Sequence, residues 1–321
     1  MKREKYKRIL VIVVLVLILL ASTYAWFTTN KNVTINALDV NVATTGSIEI
    51  SANAIDWKAM INSDDLLSHA NYTNAVNQIP ADLLPVSSSG QGNNGKLNMF
   101  YGAVGTDERG NYTLTATQEQ DQDGRNGRYI AFDIFFRVKV PTTVYLSSAS
   151  NIRSTASSSP NQTTGIENAT RIAMLNLGTK EDGTNATTIQ AQNDIKETLL
   201  LEPNSDAHTA TGAQNASRVY GKVGITEGRG NPQLAYKGIK QTISTGVPLN
   251  SEENTYFADV TTTGIQANFF EGTGVTRALD LEKGITKVRM YMWIEGQDVD
   301  CENNASGANL KFDIQLTTES V

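Results

Sequence analysis

The chain has 321 residues, of which 27 are basic and 33 acidic, so its formal net charge at pH 7 is −6. Because a negatively charged chain is repelled by phosphate backbones, this balance argues against nucleic-acid binding. A single cysteine, Cys301, excludes an internal disulfide, and the stability of the fold must therefore come from packing.

Residues 1–27 have the pattern of an export signal. Basic residues at the start are followed by an unbroken apolar run, Ile9–Ala21, and then by small residues at Thr23 and Ala25. A basic flank, an apolar core and a small-x-small site are what a signal peptide presents to its peptidase. The sequence therefore predicts a signal peptide at residues 1–25 and a secreted or cell-surface domain at residues 26–321.

Signal peptidases accept small side chains at the two subsites assigned to Thr23 and Ala25, so the mature protein is expected to begin at Trp26. Sequencing the N-terminus of the secreted protein measures this. Residues 9–27 give 19 positions of mostly apolar chain, and a retained membrane anchor is the alternative. Recovery of the protein only in the membrane fraction, with Met1 intact, would establish that alternative.

Three stretches resemble a known family. Ala21–Thr28 is similar to the cleavage region of the TasA and camelysin family of Gram-positive surface proteins, whose signals are cut by a SipW-type peptidase, and Val33–Val40 is similar to the opening of their mature part. Val288–Asp298, followed by Cys301, resembles a late strand and turn of clostridial surface proteins with such signals. The resemblance leaves the middle of the chain uncovered. It implies a cell-surface β-sandwich whose copies form fibres by donor-strand exchange from the N-terminus.

The mature chain opens with a predicted hairpin. Leu38–Val42 and Ile48–Ile50 alternate apolar with polar residues on either side of the turn Thr44–Gly46, which is the period of a half-buried antiparallel pair. The pattern then loosens. The next predicted elements are a short helix or two within Ala54–Leu67, a loop over Pro80–Gly95 and a strand at Tyr112–Ala116.

Tyr129–Val140 is the strongest predicted strand. Its large apolar side chains from Ile130 to Val140 share one face, while Asp133 and Arg137 lie on the other with Phe135 among them. Alternating strands with one polar face are typical of antiparallel sheets. Together with similar alternation at Val288–Ile294 and Leu310–Leu316, the pattern predicts an all-β fold, an antiparallel β-sandwich of jelly-roll type preceded by the hydrophobic signal or anchor helix.

Residues 147–284 differ in character from the flanking strands. Their polar tracts offer little to bury and are predicted to be long loops in an elaborated insertion between core strands. Within this insertion the apolar positions predict a strand at Ile172–Leu177, an amphipathic helix at Ile189–Leu201 and a strand at Val219–Ile225.

The search for catalytic residues yields no candidate constellation. His69 and His208 are the only histidines, and neither has a partner at ligand spacing, which argues against a metal centre built on imidazole. A Ser-His-Asp triad would need one of these two residues. The adjacent acids Asp64–Asp65 and Glu252–Glu253 are nominal glycosidase candidates, but such pairs usually lie in solvated turns.

Calcium is the one ligand with some support in the sequence. Asp121, Asp123 and Asn126 lie in a glycine-punctuated turn, and a second group of oxygen donors lies at Asp298, Asp300 and Glu302. Closely spaced oxygen ligands are how a loop binds a hard cation. Neither group has EF-hand spacing, and a plain turn rich in Asp and Gly is the alternative. No other cofactor is expected.

The function favoured by the resemblance is a structural subunit of an extracellular fibre or biofilm matrix. Trp26–Asn36 is the predicted assembly segment, because it lacks proline and glycine and carries residues that favour extension, among them Trp26, Phe27, Val33 and Ile35. The expected partners are further copies of the chain, the signal peptidase during export, and the membrane through residues 9–27 before cleavage.

Two other classes of function stay open. One is a monomeric surface adhesin whose Thr- and Asn-rich loops bind a glycan or host partner, and the other is a secreted hydrolase. Electron microscopy of the secreted protein separates the fibre subunit from the adhesin, because an adhesin stays monomeric.

Overall fold

The computed structural model describes residues 35–44, 48–69, 71–147, 150–156, 165–218, 220–248, 255–265, 276–301 and 308–318. Over these ranges the protein is mostly β, as predicted, with two large sheets of seven strands each and three small sheets. None of the helices in the described ranges has the length and apolar character needed to cross a membrane. The predicted signal peptide lies outside the described residues.

The elements of the described chain are numbered here in order. The helices are α1 (Ser63–His69), α2 (Ala186–Gln190) and α3 (Ala210–Arg218), and a 3₁₀ turn spans Ile166–Ala169. The strands are β1 (Ile35–Thr44), β2 (Glu49–Ser51), β3 (Met60–Asn62), β4 (Asn77–Gln78), β5 (Asp82–Leu83), β6 (Gly92–Asn93), β7 (Lys96–Leu97), β8 (Met99–Thr106), β9 (Tyr112–Glu119), β10 (Ile130–Val138), β11 (Thr142–Leu146), β12 (Asn151–Ala156), β13 (Thr170–Lys180), β14 (Glu197–Pro203), β15 (Tyr236–Ile239), β16 (Ile243–Pro248), β17 (Phe257–Val260), β18 (Thr263–Ile265), β19 (Thr276–Leu281), β20 (Gly284–Ile294) and β21 (Ala308–Thr317).

Sheet A has the order β19-β11-β21-β1-β3, with β12 also paired to β21 and β5 to β1. Strand β21 follows the predicted alternation: Phe312 and Ile314 are buried, whereas Asp313 between them is half-buried. The pairing of β1 with β21 is parallel, and Val42 lies opposite Ile314. The prediction of purely antiparallel sheets is therefore wrong here, and it is wrong again where β14 pairs with β18.

The predicted hairpin between the first two strands does not form. β1 belongs to sheet A, whereas β2 pairs with β10 in the other large sheet, where Ile50 lies opposite Phe136. Both Val42 and Ile50 are fully buried in one hydrophobic cluster. Two successive strands that face a shared core from opposite sheets show the same alternation as a hairpin, so the pattern could not distinguish them.

Sheet B has the order β18-β14-β13-β20-β10-β2, with β4 also paired to β10. Its inner face supplies Phe132, Met174 and Met290 to the same buried cluster that receives Val144 and Phe312 from sheet A. The two large sheets thus enclose one core. The small sheets, β8-β9-β16, β15-β17 and β6-β7, are separate from the two large sheets in strand pairing, but Phe100, Leu114 and Phe257 from them belong to the same buried cluster.

The outer face of sheet B is also covered. Tyr129, Leu175 and Trp293 point away from the main core and form a second buried cluster with Val86, which follows β5, and Met99, the first residue of β8. Strand β20 is buried along its whole length. The expectation of one polar, exposed face on β10 and β20 is therefore wrong, because other parts of the chain pack on that face.

Three charged residues lie beneath this cover. Asp133 is 0% exposed, Lys287 1% and Arg289 2%. The Arg289 guanidinium donates to both carboxylate oxygens of Asp133, from Nε at 2.6 Å and Nη2 at 3.0 Å, and Lys287 Nζ lies 3.2 Å from Oδ2. Burial alone would raise the pKa of Asp133, but the charges of Arg289 and Lys287 and the hydrogen bonds from Arg289 and Tyr72 together outweigh it and hold that pKa below its ordinary value.

These three charged residues, together with Tyr72, also hold the covering segments on sheet B. Tyr72 donates its hydroxyl proton to Asp133, Arg289 Nη1 donates to the carbonyl of Gly95 at 2.9 Å, and Lys287 Nζ donates to the carbonyl of Gln190 at 2.7 Å. Asp133, Lys287, Arg289 and Tyr72 are called the Asp133 cluster below. Its hydrogen bonds link sheet B to the chain before β8 and to α2.

Residues 147–284, predicted to be an elaborated insertion between core strands, supply strands to both large sheets, including β13 next to β20. The helix predicted at Ile189–Leu201 is wrong, because β14 takes its second half and pairs Leu201 with Ile172 of β13. The strand predicted at Val219–Ile225 is also wrong where it is described, and Val223 there is 86% exposed. A long connection between paired strands hides such contacts from local periodicity.

Candidate functional site

The turn that follows β20, Glu295–Cys301, is buried although it connects two strands. Its polar side chains Glu295, Gln297, Asp298 and Asp300 all lie below the surface. Strand register places other polar residues beside it, because Thr170 pairs with Ile294 and Ile172 pairs with Leu201, so that Arg171 and Glu202 reach the same end of sheet B. The buried polar residues at this end are called the turn cluster below: Arg171, Glu202, His208, Glu295, Asp298 and Asp300.

Glu295 has its carboxylate surrounded by donors. Oε2 accepts from the Trp293 indole N–H at 3.0 Å and from the Ser88 backbone N–H at 3.3 Å, and Oε1 accepts from the Gln297 N–H at 3.0 Å. Burial raises the pKa of Glu295 to about 7, although these hydrogen bonds act to lower it. The loop predicted over Pro80–Gly95 is therefore partly internal, because Ser88 is buried against this carboxylate.

Arg171 is the buried cation of the turn cluster. Its Nη2 lies 2.6 Å from Asp298 Oδ2 and 3.0 Å from Glu202 Oε1, and its guanidinium lies 4.9 Å from the centre of the Tyr236 ring. Burial by itself lowers the pKa of Arg171, but the charges of Glu202 and Asp298 outweigh it and raise that pKa. One guanidinium is therefore shared between two carboxylates from different elements.

His208 is the second basic residue of the turn cluster. Its Nδ1 lies 2.7 Å from Asp300 Oδ2, and Asp300 Oδ1 accepts from the Thr209 backbone N–H at 2.8 Å. The other ring nitrogen, Nε2, is buried without a hydrogen-bond partner among the described residues. Burial lowers the pKa of His208, but the hydrogen bond and the charge of Asp300 raise it above its ordinary value.

A small cavity lies against this group. It is lined by Glu202, His208, Tyr220, Lys222, Tyr236 and Asp298. Within the part of the chain that the structure describes, no three acidic, histidine or cysteine side chains are arranged to hold a metal ion. The turn cluster can gain and lose protons, because its carboxylates and the His208 imidazole are buried close to one another.

The turn predicted to bind calcium is arranged differently from a metal loop. Asp121 is half-buried and accepts hydrogen bonds from the Tyr129 hydroxyl at 2.7 Å and the Tyr291 hydroxyl at 3.2 Å. Asp123 and Asn126 are exposed, and the Asn126 side chain donates to the Asp123 carbonyl at 3.0 Å. The three side chains are not brought together around a cation, and the calcium hypothesis gains no support here.

The second set of predicted calcium ligands, Asp298, Asp300 and Glu302, is not brought together in the described residues either. The Asp298 carboxylate is engaged by Arg171 and the Asp300 carboxylate by His208, whereas Glu302 lies outside the described residues. Among the nominal catalytic acids, Asp65 forms an ion pair with Lys58 on the surface, and Glu252–Glu253 are not described.

Most of the predicted assembly segment also lies outside the described residues, as do the cleavage positions Thr23 and Ala25. The described part begins at Ile35, which is the first residue of β1 and pairs with Leu83 of β5. Asn36 lies between Asp82 on one side and Asn309 on the other. Ile35 therefore belongs to the sheet of its own chain. The candidate assembly segment accordingly ends before Ile35, at Thr34.

An open groove of about 560 Å³ lies at the far end of β13. A bulge between Asn176 and Thr179 bends this strand, and Gly178 takes a positive φ of 110° there. The walls come from the chain after α2 and from the end of β19, and they carry amide, ammonium and carboxylate groups: Gln192, Asn193, Asp194, Lys196, Asp280 and Glu282.

Sequence reasoning did not find the turn cluster. Nothing near His208 in the sequence points to a site, because it has no neighbour at ligand spacing and its partner Asp300 is 92 positions away. The closely spaced acids after β20 are the one available signal, and their pattern predicts calcium binding instead. Comparison of the chain with protein-family models, with curated proteins and with solved structures found no match.

Proposed function

We propose that the protein is a structural subunit of an extracellular fibre or matrix, and that its copies join through the segment Trp26–Thr34. The observation that supports this most is the position of β1. Asn36 is paired on both sides, so the start of β1 is fixed in sheet A at the point where the candidate segment ends. A segment tethered to such an anchor can reach a neighbouring copy without disturbing its own fold.

A receiving edge is available in the same sheet. Within the described ranges β19 is the terminal strand of sheet A and pairs only with β11. Unpaired backbone groups at an edge are satisfied when another strand adds to it. The proposal therefore has the segment of one copy adding to an edge of the next. The jelly-roll connectivity predicted from the strand alternation is part of the same proposal.

Deleting Trp26–Thr34 from the mature protein is expected to leave a folded monomer that forms no filaments. The deletion removes the proposed donor but stops before Ile35, which pairs with Leu83 in the same chain. Circular dichroism and gel filtration measure the fold and the size, and electron microscopy counts the filaments under conditions where the intact protein makes them.

A longer deletion, Trp26–Val40, is the matched control. It also removes Ile35–Val40, more than half of β1, so it is expected to lower the melting temperature, whereas the shorter deletion leaves it unchanged. Filaments of unchanged length and number after the shorter deletion would contradict assembly through this segment. Absence of filaments from the intact protein, in every condition tried, would favour the monomeric adhesin.

The adhesin alternative has one observation of its own in the groove at the end of β13. Its volume of about 560 Å³ is that of a small-ligand site, and its amide and charged groups suit the hydroxyl groups of a glycan. The same experiments separate the two functions, since an adhesin that binds through this groove is monomeric with or without Trp26–Thr34.

A further inference from the structure

We propose that His208 and the Glu295–Cys301 turn form a proton-dependent clamp, which holds the segment from α3 to β15 on the end of sheet B at mildly acidic pH and loosens it as the pH rises. This inference is independent of the proposed function, because it concerns the described fold of a single chain.

The clamp joins segments that are far apart in sequence. His208 and Thr209, just before α3, bind Asp300. Asn215 in α3 donates from Nδ2 to the Val299 carbonyl at 3.0 Å, and the Tyr220 hydroxyl donates to the Gln297 carbonyl at 2.7 Å. All these partners lie in the turn after β20. The attachment of α3 to sheet B therefore passes through this turn.

The clamp carries an excess of negative charge, which a proton on His208 reduces. Glu202, Asp298 and Asp300 supply three carboxylates, and Arg171 is the one buried guanidinium that meets them. Lys222 borders the cavity but is exposed. Tyr220 and Tyr236 are further titratable groups that line the cavity with His208, and Glu167 lies close enough to Asp300 to feel its charge. Protonated His208 is thus the partner that neutralises Asp300.

The loss of that proton weakens the clamp without removing its hydrogen bond. Neutral imidazole can still donate from Nδ1 to Asp300, but it leaves a buried carboxylate with no counter-charge, close to a second carboxylate on Asp298. An unpaired buried charge is costly in a low-dielectric interior. The free energy that attaches α3 to the turn is therefore expected to fall when His208 deprotonates.

The direction of the pH dependence follows from the raised pKa values. For His208 the folded pKa lies above the ordinary 6.5, so its contribution is complete below pH 6.5 and is lost as the pH rises through the folded pKa. Glu295 acts in the same direction, with full stability below pH 4.5 and loss as the pH rises through about 7. Over this window the folded protein binds more protons than the unfolded chain.

A proton titration of the imidazole signals by NMR tests the clamp directly. The chain has two histidines, so a His69→Gln variant leaves the His208 signal alone and assigns it. The expected result is an apparent pKa for His208 above 6.5, which moves to a lower value in an Asp300→Asn variant. A value at or below 6.5 in the wild-type protein would overturn the proposal.

Amide hydrogen exchange separates local loosening from global unfolding. After correction for intrinsic rates, amides of α3 are expected to exchange faster at pH 8 than at pH 5.5, while those of β10 keep their protection. A His208→Gln variant is expected to show fast exchange in α3 at both pH values. Equal protection of α3 at the two pH values in the wild-type protein would contradict the clamp, even if the variant fails to fold.

Discussion

Replacing Asp133 by alanine is expected to lower the free energy of unfolding by about 3–5 kcal/mol, the usual cost of removing one partner from a buried ion pair. The change leaves Arg289 and Lys287 buried without their carboxylate, and it also removes the acceptor of the Tyr72 hydroxyl. Urea unfolding monitored by circular dichroism measures the loss, and poor soluble expression is the expected outcome in cells.

A matched control is Asp280→Ala. Asp280 also pairs with an arginine, Arg277, but the pair lies exposed on β19. Exposed ion pairs contribute about 0–1 kcal/mol, so this variant is expected to unfold close to the wild-type midpoint. Similar small losses for both variants would show that the Asp133 cluster does not hold the outer layer on sheet B.

Replacing Phe132 by alanine is expected to cost a similar amount, about 3–5 kcal/mol, because it leaves a cavity between the two large sheets. The ring is 0% exposed and belongs to the cluster that both sheets share. The drop is measured as a shift of the thermal or urea unfolding midpoint, with the slope of the urea transition checked for a change in cooperativity.

Val140→Ala is the informative control for Phe132. The alternation in the sequence places both residues on the same inward face, but β10 ends at Val138, and Val140 is 60% exposed. The Val140 variant is therefore expected to lose less than about 0.5 kcal/mol. A loss at Val140 as large as that at Phe132 would contradict the position at which β10 ends.

The strands with regular alternation could be predicted from the sequence, but the layer that covers sheet B could not. β10, β20 and β21 were located within a few residues, because each has an apolar face toward the main core. Charged residues such as Asp133 and Arg289 alternate in the same way whether the opposite face meets water or another layer. The covering chain contains Ser88, which gives no sign of burial in a local pattern.

The turn cluster was hidden for a related reason. Its ion pairs join β13 to β14 and to the turn after β20, and the two ends of the Arg171–Asp298 pair are 127 positions apart. No short motif encodes such a pair. It follows from strand register, since the pairing of Thr170 with Ile294 brings the ends of β13 and β20 together.

The parallel pairing of β1 with β21 affects when the domain can fold during synthesis. Eight positions of the first described strand pair with the last one, across nearly the whole length of the chain. Such contacts have a very large sequence separation, and topologies dominated by them fold slowly. While a chain is being synthesised, β1 has no partner on that side until β21 has emerged. Sheet A therefore closes only after residues 308–317 have been made, and a product truncated before Ala308 is expected to expose an unpaired strand to degradation and aggregation.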